Sequence, residues 1–112
     1  MGAPGPEGKT QSIYKAPEFG KSQKQLIEGY LPDDFSSPGG DHRAYFAKDR
    51  SLADEYALHY GDGVIEVEVP MEAYDARLRK YESFYQGGPR IELPIPHEDF
   101  DVLNSSTRKF HA

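Results

Sequence analysis

A carboxylate lies inside a short apolar strand near the end of the chain. Ile91 to Ile95 reads Ile-Glu-Leu-Pro-Ile, is entered through Gly87-Gly88-Pro89 and is left at Pro96. Glutamate is depleted in strands, and an apolar strand usually avoids charge. Glu92 therefore either faces solvent or is held over a cleft for a functional purpose.

Other catalytic chemistry finds little support in the residue types. The chain has no cysteine, which excludes disulfides, thiolate catalysis and cysteine-ligated zinc. The zinc-protease helix, the Walker loop, the dinucleotide-binding glycine fingerprint and the EF-hand loop are all missing from the sequence. We expect no metal site, because the histidines are scattered without ligand spacing. They are His42, His59, His97 and His111.

Length and charge restrict the class of protein. The 112 residues are enough for one domain, and the net charge of -6 argues against loose binding to nucleic acid or anionic membranes. An aromatic content of 12% predicts a core and any cleft rich in Tyr and Phe. The sequence contains no apolar run as long as a membrane span or a signal-peptide core. We therefore expect no membrane partner and no signal peptide in this chain.

Short alternating elements predict an α+β domain. Residues 1–11 are rich in Gly and Pro and are expected to form a flexible lead-in, followed by a domain over residues 12–112. The pattern of residues 64–69 (VIEVEV) indicates a half-buried strand of an antiparallel sheet. Ser51 followed by Asp54 resembles a capping box. The predicted strands are 12–16, 43–47, 64–69 and 91–95, with a last strand or tail at 105–112. The predicted helices are 21–28, 52–60 and 72–85, with a short helix or turn at 96–103 and a long loop at 31–41.

Three motifs, in order, resemble the small bacterial ADP-ribosyltransferase-like toxin domains. The first is the Tyr-basic dipeptide in Ile13-Tyr14-Lys15-Ala16. The second runs from the aromatic strand at 44–47 into the helix that contains Tyr56, and is followed by the strand 64–70. The third is Arg90-Ile91-Glu92-Leu93. Together they span about residues 12–104.

The resemblance implies a pair of twisted, mostly antiparallel sheets that form a cleft for NAD, which is a substrate. In this family the late-strand glutamate stabilises the ribose cation as nicotinamide departs, so the resemblance makes Glu92 the catalytic residue. The implied NAD-binding residues are Tyr14, Lys15, Ala16, Tyr45, Phe46 and Tyr56. Tyr45 and Phe46 alternate on their strand, so we expect one to face the pocket and the other to lie in the core. The spacing of Tyr56, Tyr60, Tyr74, Tyr81 and Tyr85 is also that of helix packing residues.

The chain departs from the family pattern at several positions, and the departure at Arg90 leaves the acceptor open. Lys15 replaces the expected Arg or His and offers a point charge without a bidentate fork. Arg90 stands two residues before Glu92, where arginine-modifying members carry a second glutamate. Protein, RNA, nucleotide and water all remain as acceptors. The resemblance also implies that the domain is part of a larger secreted effector, acts in the cytoplasm of a target cell, and has a macromolecular target and a cognate immunity protein.

Two other classes of function fit the composition. A metal-independent toxin ribonuclease of small α+β fold would use the basic tail and nearby histidines as acid, base and phosphate contacts. Its candidate residues are His97, Arg108, Lys109 and His111. An acidic, Tyr-rich surface also suits a non-enzymatic interaction module.

Overall fold

The strand predicted over residues 64–69 is present, and its side chains alternate between buried and partly exposed. The computed structural model describes residues 9–35 and 42–112. Strand β3 (Val64–Pro70) buries Ile65, Val67 and Val69 completely, whereas the glutamates between them are partly exposed. It pairs antiparallel with β1 (Thr10–Lys15) on one side. On the other side it pairs with β6 (Thr107–His111), the last strand of the chain.

The remaining strands form the other half of the sheet. Strand β2 (Arg43–Ala47) pairs antiparallel with β5 (Ile91–Pro96), and β5 pairs with the two-residue strand β4 (Ser83–Phe84). The strand order across the sheet is β4-β5-β2-β1-β3-β6. The expected α+β class with antiparallel pairing is therefore confirmed.

The expected pair of sheets is instead one six-stranded sheet with a narrow join. Its two halves meet between β1 and β2 at a single register, where Tyr14 lies opposite Ala47. Each half has far longer pairing within itself. Six registers join β1 to β3, and five join β2 to β5.

Short helices connect and cover the strands. Helices α1 (Ser22–Glu28) and α2 (Arg50–Tyr60) agree with the predicted positions within two residues. Helix α4 (Phe100–Asn104) follows a short 3-10 turn, as expected for the segment 96–103. Helix α3 (Met71–Ala73) continues through one turn of π-helix and one of 3-10 helix, Tyr74–Leu78 and Arg79–Tyr81.

Several predicted boundaries were wrong. The helix expected over 72–85 ends at Tyr81, because residues 83–84 pair with β5 as a strand. Helix α2 begins at Arg50, and no side chain caps its first turn, so Ser51 is not a cap. Residues 10 and 11 belong to β1, which shortens the expected lead-in; residues 1–8 lie outside the described residues. Within the predicted loop 31–41, Pro32–Phe35 form a 3-10 turn and residues 36–41 lie outside the description.

Two clusters of buried apolar side chains join the helices to the sheet. The larger cluster contains buried residues of strands β1, β2, β3 and β5, together with Tyr30, Tyr74 and residues of helix α4. Tyr30 is completely buried, and its ring contacts Phe46 and Phe100 at centroid distances of 5.2 and 6.5 Å. The smaller cluster joins α2 to the sheet and contains Ala47, Leu52, Ala53 and Val64. Within the described ranges, no helix is both long and apolar enough to cross a membrane.

Candidate functional site

A cleft of about 550 Å³ opens next to the narrow join of the sheet. Beyond Tyr14 and Ala47, β1 and β2 have no further paired register, so the end of β1 and the start of β2 lie apart. The cleft is lined from these two strands, from β5, from α2 and from the 3-10 turn Tyr85–Gly87. The missing strand pairing thus creates the space for a ligand.

All seven residues predicted for the site line this one cleft. They are Tyr14, Lys15, Ala16, Tyr45, Phe46, Tyr56 and Glu92. Tyr45 is 44% exposed, whereas Phe46 is almost fully buried in the larger core cluster and also reaches the cleft. Phe46 is therefore the core residue expected of this pair. Both residues line the cleft, whereas only one of them was expected to face it.

Glu92 lies on the middle strand of its half of the sheet. It is opposite Ala47 of β2 and opposite Ser83 of β4, whose hydroxyl donates to the Glu92 carbonyl oxygen at 3.2 Å. Its carboxylate is partly buried and accepts no hydrogen bond from the described residues. Burial raises the pKa of Glu92, and the nearby positive charge of Lys15 partly offsets this effect. The carboxylate is therefore positioned by backbone pairing and is available to a ligand.

Lys15 bridges the opening between β1 and β2. Its Nζ donates to the carbonyl oxygen of Tyr45 at 3.3 Å, and it lies 5.5 and 5.9 Å from the ring centroids of Phe35 and Phe46. Burial lowers the pKa of Lys15 to about 8, and the negative charges of Glu18 and Glu92 partly offset this effect. The ammonium makes no ion pair with a described carboxylate, so a bound anion could take that place.

Tyrosines form one wall of the cleft. Tyr56 stacks on Tyr60 at a centroid distance of 6.3 Å and meets Tyr85 edge-on at 6.0 Å. Burial and a hydrogen bond with Tyr85 raise the pKa of Tyr56, so its hydroxyl stays protonated at neutral pH. Such flat, half-buried rings suit an aromatic ligand. Helix α2 places Tyr56 and Tyr60 on the cleft and the turn Tyr85–Gly87 places Tyr85 there, whereas Tyr74 is fully buried.

Sequence reasoning missed the loop that leads into β5. Gln86 lines the cleft with a φ of 51°, a left-handed conformation that is uncommon outside glycine. The Gly-Gly-Pro signal at 87–89 marks the turn but does not identify Gln86. Arg90 in this loop forms an ion pair with Glu55 of α2 and lies 5.8 Å above the ring of Tyr85. These contacts connect the segment before Glu92 to the tyrosine wall.

Charged residues of the cleft also went unassigned. Arg43 begins β2, lines the cleft and donates to the carbonyl oxygen of Pro94 at 3.0 Å. The other unassigned charged residues on the cleft are Glu18, Lys21 and Asp34. They come from segments remote in sequence, and no local motif connects them to Glu92.

The residues predicted for a ribonuclease lie in two separate places. His97 follows β5, whereas the basic tail is β6, and four strand spacings between them amount to roughly 19 Å. His111 lies 2.8 Å from the Glu66 carboxylate, and Lys109 lies 2.8 Å from that of Glu68. Arg108 donates to backbone carbonyl oxygens. Within the described residues, no group of three His, Asp or Glu could hold a metal ion.

Comparison with known proteins gives no match. No protein family matches this chain, and neither a characterised protein nor a solved structure does so. The cleft therefore has to be interpreted from its own residues and geometry.

Proposed function

We propose that this domain is an ADP-ribosyltransferase of the toxin type, which cleaves NAD at the bond between nicotinamide and ribose. The observation that carries the proposal is the carboxylate of Glu92, partly buried and unpartnered among the described residues, on an aromatic-lined cleft that also contains Lys15. The motif resemblance in strands β1, β2 and β5 supports the same activity. The specific ADP-ribosyltransferase-like arrangement of the sheets is part of this proposal.

The chemistry follows from where charge develops in NAD. As nicotinamide leaves, positive charge appears on the ribose, and a fixed anion stabilises that state more than it stabilises the bound substrate. Glu92 supplies this anion from a strand held on both sides by backbone pairing. Because the surrounding cleft is partly apolar, the interaction is stronger than it would be in water.

The remaining cleft residues would bind the other parts of NAD. The tyrosine wall of Tyr56, Tyr60 and Tyr85 offers flat surfaces for the nicotinamide ring. The ammonium of Lys15, which lacks a carboxylate partner among the described residues, suits the pyrophosphate. Tyr14, Ala16, Tyr45 and Phe46 would complete the pocket around the ribose and the ring.

The biological setting is part of the proposal. The domain would form the toxic end of a larger secreted effector and act in the cytoplasm of a target cell. ADP-ribose would pass to a macromolecular acceptor, or to water if the protein is an NAD glycohydrolase. A cognate immunity protein would protect the producing cell.

The test is NAD consumption by the purified domain, with and without a cell lysate. Glu92→Gln keeps the shape of the side chain and removes its charge, so we expect turnover to fall at least about 100-fold without loss of the fold. Glu18→Gln is the matched control, because Glu18 also lines the cleft but is exposed and is not assigned a role.

The outcomes separate the possible reactions. Turnover that needs lysate would indicate a transferase, and labelled NAD would identify its acceptor. Turnover in buffer alone would indicate a glycohydrolase. Full activity of Glu92→Gln would contradict the assignment of Glu92, and intact NAD under both conditions would contradict the proposed function.

A further inference from the structure

Lys15 differs from the ion-paired lysines of this chain. Lys24, Lys48 and Lys109 each lie within 2.9 Å of a carboxylate oxygen. Lys15 has no such partner in the described part of the chain, and its Nζ donates to a neutral carbonyl oxygen between two phenyl rings. Its amine thus faces the cleft without a direct ion pair to a described carboxylate.

This environment raises the share of neutral amine well above that of an ordinary lysine. With a pKa of about 8, roughly a tenth of the Lys15 side chains are unprotonated at pH 7. An ordinary lysine reaches only about one in 2,500 at that pH. The neutral amine is a nucleophile, and lysines desolvated in apolar pockets are those that form Schiff bases with carbonyl compounds.

We propose that the Lys15 amine is a covalent capture site for small aldehydes that enter the cleft, above all the open-chain form of a sugar phosphate. The Nζ lone pair attacks the carbonyl carbon, whose π electrons move to oxygen. Proton transfer from nitrogen to that oxygen gives a carbinolamine. Loss of water, formed from the hydroxyl group and a proton, leaves an imine between Nζ and the sugar. No oxidant or reductant is needed.

The proposed function would itself supply such an aldehyde, and this part of the inference rests on it. Transfer to water leaves ADP-ribose, and its ribose opens to an aldehyde at the carbon that carried nicotinamide. That carbon would lie near Glu92, which is close enough to Lys15 for each charge to affect the titration of the other. The product would then condense with Lys15 and block the cleft, so turnover would be self-limiting.

Other charged groups share the cleft with Lys15. Glu18 and Glu92 favour its ammonium form, yet burial outweighs both. The remaining charged residues that line the cleft are Lys21, Asp34 and Arg43. Lys21 is exposed and therefore serves as an internal reference for an amine in the same cleft with more access to water.

The experiment uses pyridoxal 5′-phosphate as the probe, because it is an aromatic aldehyde that carries a phosphate. The intact domain is incubated with the probe and cyanoborohydride, which traps the imine, and peptide mass spectrometry locates the adducts. We expect Lys15 to be labelled at least about tenfold faster than Lys21, with a rate that rises with pH up to about 8.

Variants and unfolding provide the controls. Lys15→Arg should lose the fast adduct, whereas Lys21→Arg should keep it. In urea the wild-type protein should label both lysines at similar rates, because selectivity depends on the folded cleft. Equal labelling of Lys15 and Lys21 in the folded protein would overturn the proposal, and so would a fast adduct elsewhere in Lys15→Arg.

The outcome is independent of the proposed function. Fast labelling of Lys15 in a protein that does not consume NAD would support the capture site and reject NAD as the source of its aldehyde. Turnover of NAD without selective labelling of Lys15 would reject the capture site alone. Incubation with ADP-ribose and cyanoborohydride should leave an ADP-ribose adduct on Lys15 and protect that residue from the probe. This result would support product capture.

Discussion

Glu92 and Lys15 face the same cleft without forming an ion pair, and each favours the charged form of the other. Burial acts against both charges, since it raises the pKa of Glu92 and lowers that of Lys15. A direct ion pair would satisfy the two groups and remove them from ligand binding. Their separation by the open end of β1 and β2 keeps an anion and a cation available near neutral pH.

The titration of these two residues predicts a bell-shaped pH profile. The value of kcat/KM for NAD should rise as Glu92 loses its proton, at a pH above that of an ordinary glutamate. It should fall again above about pH 8, where Lys15 loses the positive charge that we propose for binding the pyrophosphate. The profile is measured with excess lysate if the acceptor is a macromolecule. It is measured in buffer alone if the acceptor is water.

Lys15→Arg tests the alkaline side of that profile. Arginine keeps its charge over the whole range, so the decline above pH 8 should disappear while the acidic side stays in place. Glu18→Gln is the control for the neighbouring carboxylate and should shift the alkaline side only slightly toward lower pH. A decline that persists unchanged in Lys15→Arg would show that another group causes it.

At the scale of elements, the turn from α2 into β3 sets where the tyrosine wall lies. Helix α2 ends at Gly61, which has a φ of 74° and donates from its N–H to the Ala57 carbonyl oxygen. Gly63 follows with a φ of 72° and lies against β6. A Cβ on Gly63 would lie 2.6 Å from the carbonyl oxygen of His111 and 2.7 Å from the ring of Phe110. The close approach fixes the turn against the edge strand.

Two alanine substitutions separate this contact from backbone strain. Gly61→Ala and Gly63→Ala both place alanine at a left-handed φ, which costs about 1–2 kcal/mol of the free energy of unfolding. Only Gly63→Ala also forces a steric clash, which should add about 1–3 kcal/mol. Gly61 is the matched control, since the nearest atom to its added Cβ is 3.9 Å away.

Urea denaturation of both variants measures this difference. Equal losses of unfolding free energy would mean that β6 moves away from the turn at little cost. A larger loss in Gly61→Ala would contradict the packing described for Gly63.

At the scale of the whole molecule, the sheet divides into two well-paired halves. Strand β3 is paired to β1 over residues 65–70 and to β6 over residues 64–68. Between β1 and β2, by contrast, only Tyr14 and Ala47 are in register. The two halves are therefore joined by little strand pairing, and the cleft lies at this join.

Hydrogen exchange should reflect this division. Amides of β3 over residues 65–68 are expected to exchange slowest, because this stretch lies inside its half of the sheet with a paired strand on each side. Amides of Lys15, Ala16 and Tyr45 at the join should exchange faster, and NAD should slow them if it bridges the cleft. Equal protection of the join and of β3 in the free protein would contradict a weak connection between the halves.

The sequence by itself determined the elements whose signals are local. Alternation over residues 64–69 predicted β3, and Gly29 after residues 21–28 indicated the end of the helix that forms at Ser22–Glu28. Glu92 was identified because a carboxylate in an apolar strand is unusual. The motif resemblance selected the other six cleft residues. These signals depend on neighbours within a few positions, which the sequence displays directly.

The tertiary structure decided what depends on distant parts of the chain. The helical tyrosine spacing predicted a helix up to residue 85, yet the chain leaves the helix at Glu82, since the next residues pair with β5. The single register at Tyr14, the pairing of Arg90 with Glu55 and the absence of an ion pair at Lys15 among the described residues have no local signature either. Strand pairing and burial join segments far apart in sequence, and they alone set the cleft and the charge states within it.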